Sequence, residues 1–174
     1  MTDAMNVMLT RRSVKSYRSD PVPRDLLEQI AFAGAHAPSG MGKQSPIIVA
    51  VTERSVRDKL SALNAAVMNT ADTDPFYNAP AVLVVLADRS VPTYLYDGSL
   101  VMGNMLNAAH ALGLGACWIH RAKQVFDSPE GKQLLQAWGI SGDYEGIGNC
   151  VIGYPAGPTR CVPPVKDSYI TWVE

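Results

Sequence analysis

The run Arg11-Arg12-Ser13-Val14-Lys15 places three cations and a hydroxyl within five residues. That set suits a dianionic phosphate, which takes charge-assisted donors at fixed spacing and a hydroxyl on a remaining lone pair. Between Arg11 and Arg24 there are five basic residues (Arg11, Arg12, Lys15, Arg18, Arg24) and one acid, Asp20. The whole chain has 15 Lys and Arg against 16 Asp and Glu, so the positive charge is gathered locally in a balanced sequence. Val7, Met8 and Leu9 read as the last turn of a preceding helix. A second use for Arg11 and Arg12 is therefore to complement the negative C-terminal end of that helix.

The elements that must position this segment come from a 174-residue chain, 47% hydrophobic and 18% charged, which reads as one globular domain over residues 1–174. A net charge of −1 argues against a nucleic-acid surface. The first residues have neither a basic n-region nor an apolar h-region, so no signal peptide is expected. No run of 18 apolar residues predicts a membrane span. Cys117, Cys150 and Cys161 form no CxxC pair, and His36, His110 and His120 show no metal-ligand spacing. No metal site is expected, and the free thiols suit a reducing cytoplasm.

Helical periodicity predicts helices over 24–36, 53–68 and 94–112, with short ones near 122–126 and 129–138. Strands are expected at 45–52, 81–86, 115–119 and 145–154. Residues 81–86 (Ala-Val-Leu-Val-Val-Leu) are apolar on both faces, the pattern of a central strand covered on each side. Residues 69–78 read as a polar, Asp-rich loop. The 94–112 helix is apolar nearly all round (Leu100, Val101, Met102, Met105, Leu106, Ala108, Ala109, Leu112). It is either a central core helix or one shared with a second subunit. Residues 155–174 carry Pro155, Pro158, Pro163 and Pro164 and end in the β-prone Tyr169-Ile170-Thr171-Trp172-Val173. This segment cannot be a helix, and its apolar end should dock on something.

Four motifs stand in order: Arg11 to Lys15; Ala37-Pro38-Ser39-Gly40-Met41-Gly42-Lys43-Gln44-Ser45-Pro46; Gly113-Leu114-Gly115-Ala116-Cys117-Trp118-Ile119-His120; and Ile152-Gly153-Tyr154-Pro155. Together they resemble the FMN-dependent nitroreductase family, from about residue 5 to the end. The resemblance implies an α+β fold with a central, mostly antiparallel sheet flanked by helices. It also implies an intertwined homodimer with two FMN sites at the interface. In that assembly 94–112 is the dimer helix, and 155–174 is a swapped tail that wraps the partner and adds a strand to its sheet.

By the same resemblance, Arg11 and Ser13 hold the FMN phosphate, with Arg12 contributing from the same turn. Lys15 lies near the pyrimidine edge, where reduced flavin gathers negative charge. Pro38, Ser39, Gly40 and Met41 reach the flavin from the other subunit, with Gln44 as an amide donor. The backbone of Trp118, Ile119 and His120 lies by the flavin N5 face, and Lys166 returns from the tail to the phosphate. Two positions depart from the pattern. Gly42 stands where relatives often have Asn, and Val165 replaces a second tail cation, for which Arg160 is a poor substitute.

The implied activity is hydride transfer from NAD(P)H through flavin N5 to a small electron-poor acceptor such as a nitroaromatic or quinone, with no catalytic side chain required. The alternatives are a flavin-dependent dehalogenase or flavin-modifying enzyme, which would need lid segments beyond the 69–78 loop, and a non-catalytic flavin carrier or sensor.

Overall fold

A computed structural model describes residues 2–70, 73–158, 161 and 163–174 of the chain. Its core is a four-stranded sheet of β1 (Pro46–Val51), β2 (Ala81–Asp88), β3 (Gly115–Ile119) and β4 (Tyr144–Gly153). The order is β1-β2-β4-β3 and every pairing is antiparallel. The helices are α1 (Asp3–Thr10), α2 (Arg24–Ala35), α3 (Arg54–Val67), α4 (Tyr94–Ala111), α5 (Ala122–Asp127) and α6 (Pro129–Ala137). This is the α+β architecture expected from the sequence.

Period-2 alternation divides the core into two layers. Val82, Val84 and Leu86 of β2 face Leu60 of α3 and Val125 and Phe126 of α5. Leu83 and Val85 face Ile30 of α2 and Met102 and Met105 of α4. A strand covered on both sides has no polar face to offer, hence its continuous apolar run.

The longest helix is covered on one side only. Val101, Met102, Met105 and Ala109 of α4 are buried on the sheet, whereas Leu95, Tyr96 and Leu100 are exposed. The tail is barer still. Residues 163–174 form no strand and are exposed throughout, with Trp172 83% accessible. At the opposite edge of the sheet from β3, β1 has a free side among the described residues.

Candidate functional site

The basic segment at residues 11–15 leaves α1 in extended conformation and lies against β3. Val14 N–H donates to the Ala116 carbonyl at 3.0 Å, and Ser13 forms a parallel bridge with Ala116. Gly115 makes this approach possible, since a Cβ there would come within 2.8 Å of the Val14 side chain. The Tyr17 hydroxyl donates to the Val14 carbonyl at 2.7 Å, and Arg18 N–H to Tyr154 at 2.9 Å, so the segment is tied at both ends.

An extended backbone turns alternate residues to opposite sides. Val14 goes into the core, while Ser13 and Lys15 line a cavity of about 500 Å³ together with Cys117, Trp118, Ile119 and His120. Burial pushes the Cys117 thiol up. The neighbouring Ser13 side chain and the charges of Lys15 and Arg11 pull the other way. The Lys15 ammonium stands 5.8 Å from the centre of the Tyr77 ring.

Arg12 is turned elsewhere. Its guanidinium donates to the carbonyls of Leu9, at 3.0 Å, and Arg11, and so caps the end of α1. Arg11 and Arg12 also border a crevice of about 200 Å³ with Thr10 and His110. Of the two uses read from the sequence, Arg12 takes the one at the helix end.

Thr70, Thr73, Asp74, Pro75 and Tyr77 form the far wall of the main cavity, and here the expectation of a polar loop fell short. Phe76 is fully buried, and Asp74 is fixed by the 2%-exposed Arg57 at 2.6 Å and by the Ser61 hydroxyl. Backbone N–H groups of Phe76 and Asn78 complete the carboxylate's shell. Burial works to raise the Asp74 pKa, but these donors outweigh it and hold it below the ordinary carboxylate value. The sequence signal was an arginine at the inward positions of α3, where an apolar residue would be usual.

Pro38, Ser39 and Gln44 border a second cavity of about 560 Å³, whose other walls include Phe32, Ile47 and Asp97. The loop is held by Asp97, a 2%-exposed carboxylate of α4. It accepts from Gly40 N–H (2.9 Å), the Ser45 hydroxyl (2.8 Å) and the Thr93 hydroxyl (3.0 Å). Burial favours the neutral acid, yet the three donors win and lower its pKa. Gly40 is needed for this contact, since a Cβ would lie 2.4 Å from Thr93 Oγ1. Met41 and Gln44 adopt φ of 53° and 49°, uncommon for residues with side chains, and Met41 is 84% exposed. Asp97 was not among the expected site residues. Its signal was a lone carboxylate on an otherwise apolar helix.

Within one chain the expected site residues are thus spread over separate places, with Arg11 and Arg12 at the small crevice. Ser13, Lys15 and residues 118–120 meet at one cavity, Pro38, Ser39 and Gln44 at another. Lys166 stands in the exposed tail, 5.8 Å from the Tyr169 ring centre. Arg160 lies outside the described residues. No cluster of potential metal ligands occurs among the described residues, nor is any helix among them long and apolar enough to cross a membrane.

An antiparallel α+β core with a basic extended segment laid along its β3 edge, beside a cavity of about 500 Å³, defines the class as an α+β domain. The chain belongs to the Nitroreductase family, whose model matches residues 8–154. A Methanothermobacter thermautotrophicus relative, for which the name NADH dehydrogenase/NAD(P)H nitroreductase has been put forward, is 29% identical over 120 residues. The match takes in 67% of this chain but only 60% of that relative. The Bacillus subtilis FMN reductase [NAD(P)H] is 25% identical across the whole chain and 74% of its own length. Among solved structures, a nitroreductase with bound FMN from Bacteroides fragilis superposes with a TM-score of 0.91 at 28% identity, over the full length of both chains.

Proposed function

We propose that the protein is an NAD(P)H-dependent FMN oxidoreductase acting on electron-poor acceptors such as nitroaromatics or quinones. The observation that carries this reading is the meeting of Ser13, Lys15 and the Trp118–His120 backbone at one cavity of about 500 Å³. The donor set fits the cofactor. Arg11 and Ser13 offer charge-assisted and hydroxyl donors for a terminal phosphate, and Lys15 offers a point charge for the pyrimidine edge. FMN held by these residues would supply the two-electron chemistry between NAD(P)H and the acceptor.

The chain's own residues then have distinct tasks. Tyr77 steadies the Lys15 ammonium, Asp74 and Arg57 hold the loop that carries Tyr77, and Arg12 fixes the turn that presents Arg11. Asp97 holds the 38–45 loop in a shape ready to meet a neighbour. The reading includes a homodimer in which that loop completes the cavity of the other copy and Lys166 arrives with the tail. Three features support it: the separation of the two residue groups, the exposed residues of α4, and an exposed apolar tail in a chain whose β1 edge is unpaired among the described residues.

The purified protein is expected to be yellow, and extraction should release FMN and not FAD. Mixing with NAD(P)H and a quinone should then give rapid donor oxidation. A colourless protein unable to take up added FMN would refute the cofactor assignment, and a yellow protein without turnover would make it a carrier.

Lys15→Met should lower the flavin reduction potential, because it removes a charge that favours the anionic reduced form. A charge-assisted contact of about 1.5–3 kcal/mol corresponds to roughly 30–65 mV for a two-electron couple. Arg11→Ala should instead weaken FMN binding and shift the potential less. Redox titration and FMN affinity measured on both variants separate the roles; an unchanged potential with collapsed affinity in Lys15→Met would make Lys15 a phosphate ligand.

A further inference from the structure

Arg121 stands two residues after the end of β3 and borders the same cavity as Ser13, Lys15 and Cys117. Its backbone is left-handed, with φ 76° and ψ 9°, a conformation that favours glycine. The backbone at this position has a plain structural task. The Arg121 carbonyl accepts from Val125 N–H at 3.1 Å and starts α5. A glycine would do that equally well and without strain, so the fold does not call for this side chain.

The surroundings suggest what the side chain is for. It is half-buried at the cavity wall and makes no ion pair and no side-chain hydrogen bond among the described residues. The one described carboxylate on the lining, Asp74, is already engaged: each of its oxygens accepts two hydrogen bonds, from Ser61 and Phe76 and from Arg57 and Asn78. Lys15 is spoken for by Tyr77 and, on the reading above, by the flavin. A planar guanidinium thus remains on the wall with no partner among the described residues, which suits an oxyanion taken in a forked geometry.

We propose that Arg121 is a specificity-determining residue that binds an oxyanion of the incoming substrate, either a phosphate of the nicotinamide cofactor or a carboxylate on the acceptor. This rests on the assignment of the cavity as the flavin site.

The test uses the holoprotein with Arg121→Gly, which keeps the backbone conformation and removes the charge, and Arg121→Lys, which restores charge without the fork. FMN stoichiometry and thermal stability are measured first, and Arg121→Gly should match or exceed the wild type in both. The oxidised proteins are then titrated with NADP+, NAD+, 4-nitrobenzoate and nitrobenzene, followed by flavin absorbance. In Arg121→Gly, at least one anion should bind about ten-fold more weakly, the loss of one charge-assisted contact, while nitrobenzene should not change. Arg121→Lys should recover part of the loss. A loss confined to NADP+ identifies the 2′-phosphate, a loss shared by NADP+ and NAD+ the pyrophosphate, and a loss confined to 4-nitrobenzoate the acceptor carboxylate; each supports the proposal. Unchanged affinity for all three anions in a fully loaded Arg121→Gly protein overturns it, as does equal weakening of nitrobenzene. Loss of FMN from Arg121→Gly overturns it too, by making Arg121 a cofactor ligand. A wild type that cannot bind FMN refutes the flavin reading itself and this proposal with it.

Discussion

A chain lacking residues 163–174 is expected to be a monomer that retains no flavin. Val165, Tyr169, Ile170, Trp172 and Val173 are all exposed in the single chain, Val173 to 94%. At about 1.5–3 kcal/mol for each large side chain buried, their docking on a partner is a driving force of roughly 7–15 kcal/mol before the costs of association. The same segment carries Lys166, so on the proposed arrangement its removal would take away both the grip on the partner and a cation for the phosphate. Light scattering with the eluting protein, together with its absorbance near 450 nm, reads both properties at once. Trp172→Ala should weaken the dimer without abolishing it. A truncated chain that stays folded, monomeric and yellow would overturn the swapped-tail arrangement.

Asp97→Ala should destabilise the fold and disable the 38–45 loop together. The substitution leaves the Gly40 N–H and the Ser45 and Thr93 hydroxyls without their acceptor. Removing a buried carboxylate from three donors costs about 2–4 kcal/mol, or a melting temperature roughly 5–15 °C lower for a chain of this size. Ser45→Ala, which removes one donor and keeps the carboxylate bonded, should cost about 1 kcal/mol. The pH dependence gives an independent check. The native pKa of Asp97 lies below its ordinary 3.8. Its contribution is therefore complete above that ordinary value and is lost as pH falls through the lower native one. Asp97→Asn should flatten the wild-type stability curve in this acid range. An equally steep curve in Asp97→Asn would show that other carboxylates, such as Asp74, govern acid unfolding.

Much of the fold was legible from patterning. The strands and helices lie within about two residues of the expected positions because each has an apolar period that only one conformation can bury. β2 was recognisable as central from its unbroken apolar run, and all its residues from Ala81 to Ala87 are buried. The 69–78 loop was misjudged because composition cannot reveal a partner. Its Asp74 is polar in sequence but is consumed by Arg57, 17 residues earlier.

The sequence by itself determined the elements, which follow from local period, and the family, which its four ordered motifs resemble; the residues assigned to a phosphate and a flavin come from that resemblance. Only the tertiary structure decided how those residues are shared out. The 11–15 segment lies extended against β3, bridged at Ser13, because Gly115 lets Val14 come close, and that contact sends Ser13 and Lys15 to the cavity. Arg12 went to the end of α1, since the Leu9 carbonyl lies within its reach. Asp97 and Gly40 are 57 residues apart, and no local rule joins them. Their contact exists because α4 and the loop before β1 are packed on the same face of one sheet, where a buried carboxylate must find its donors.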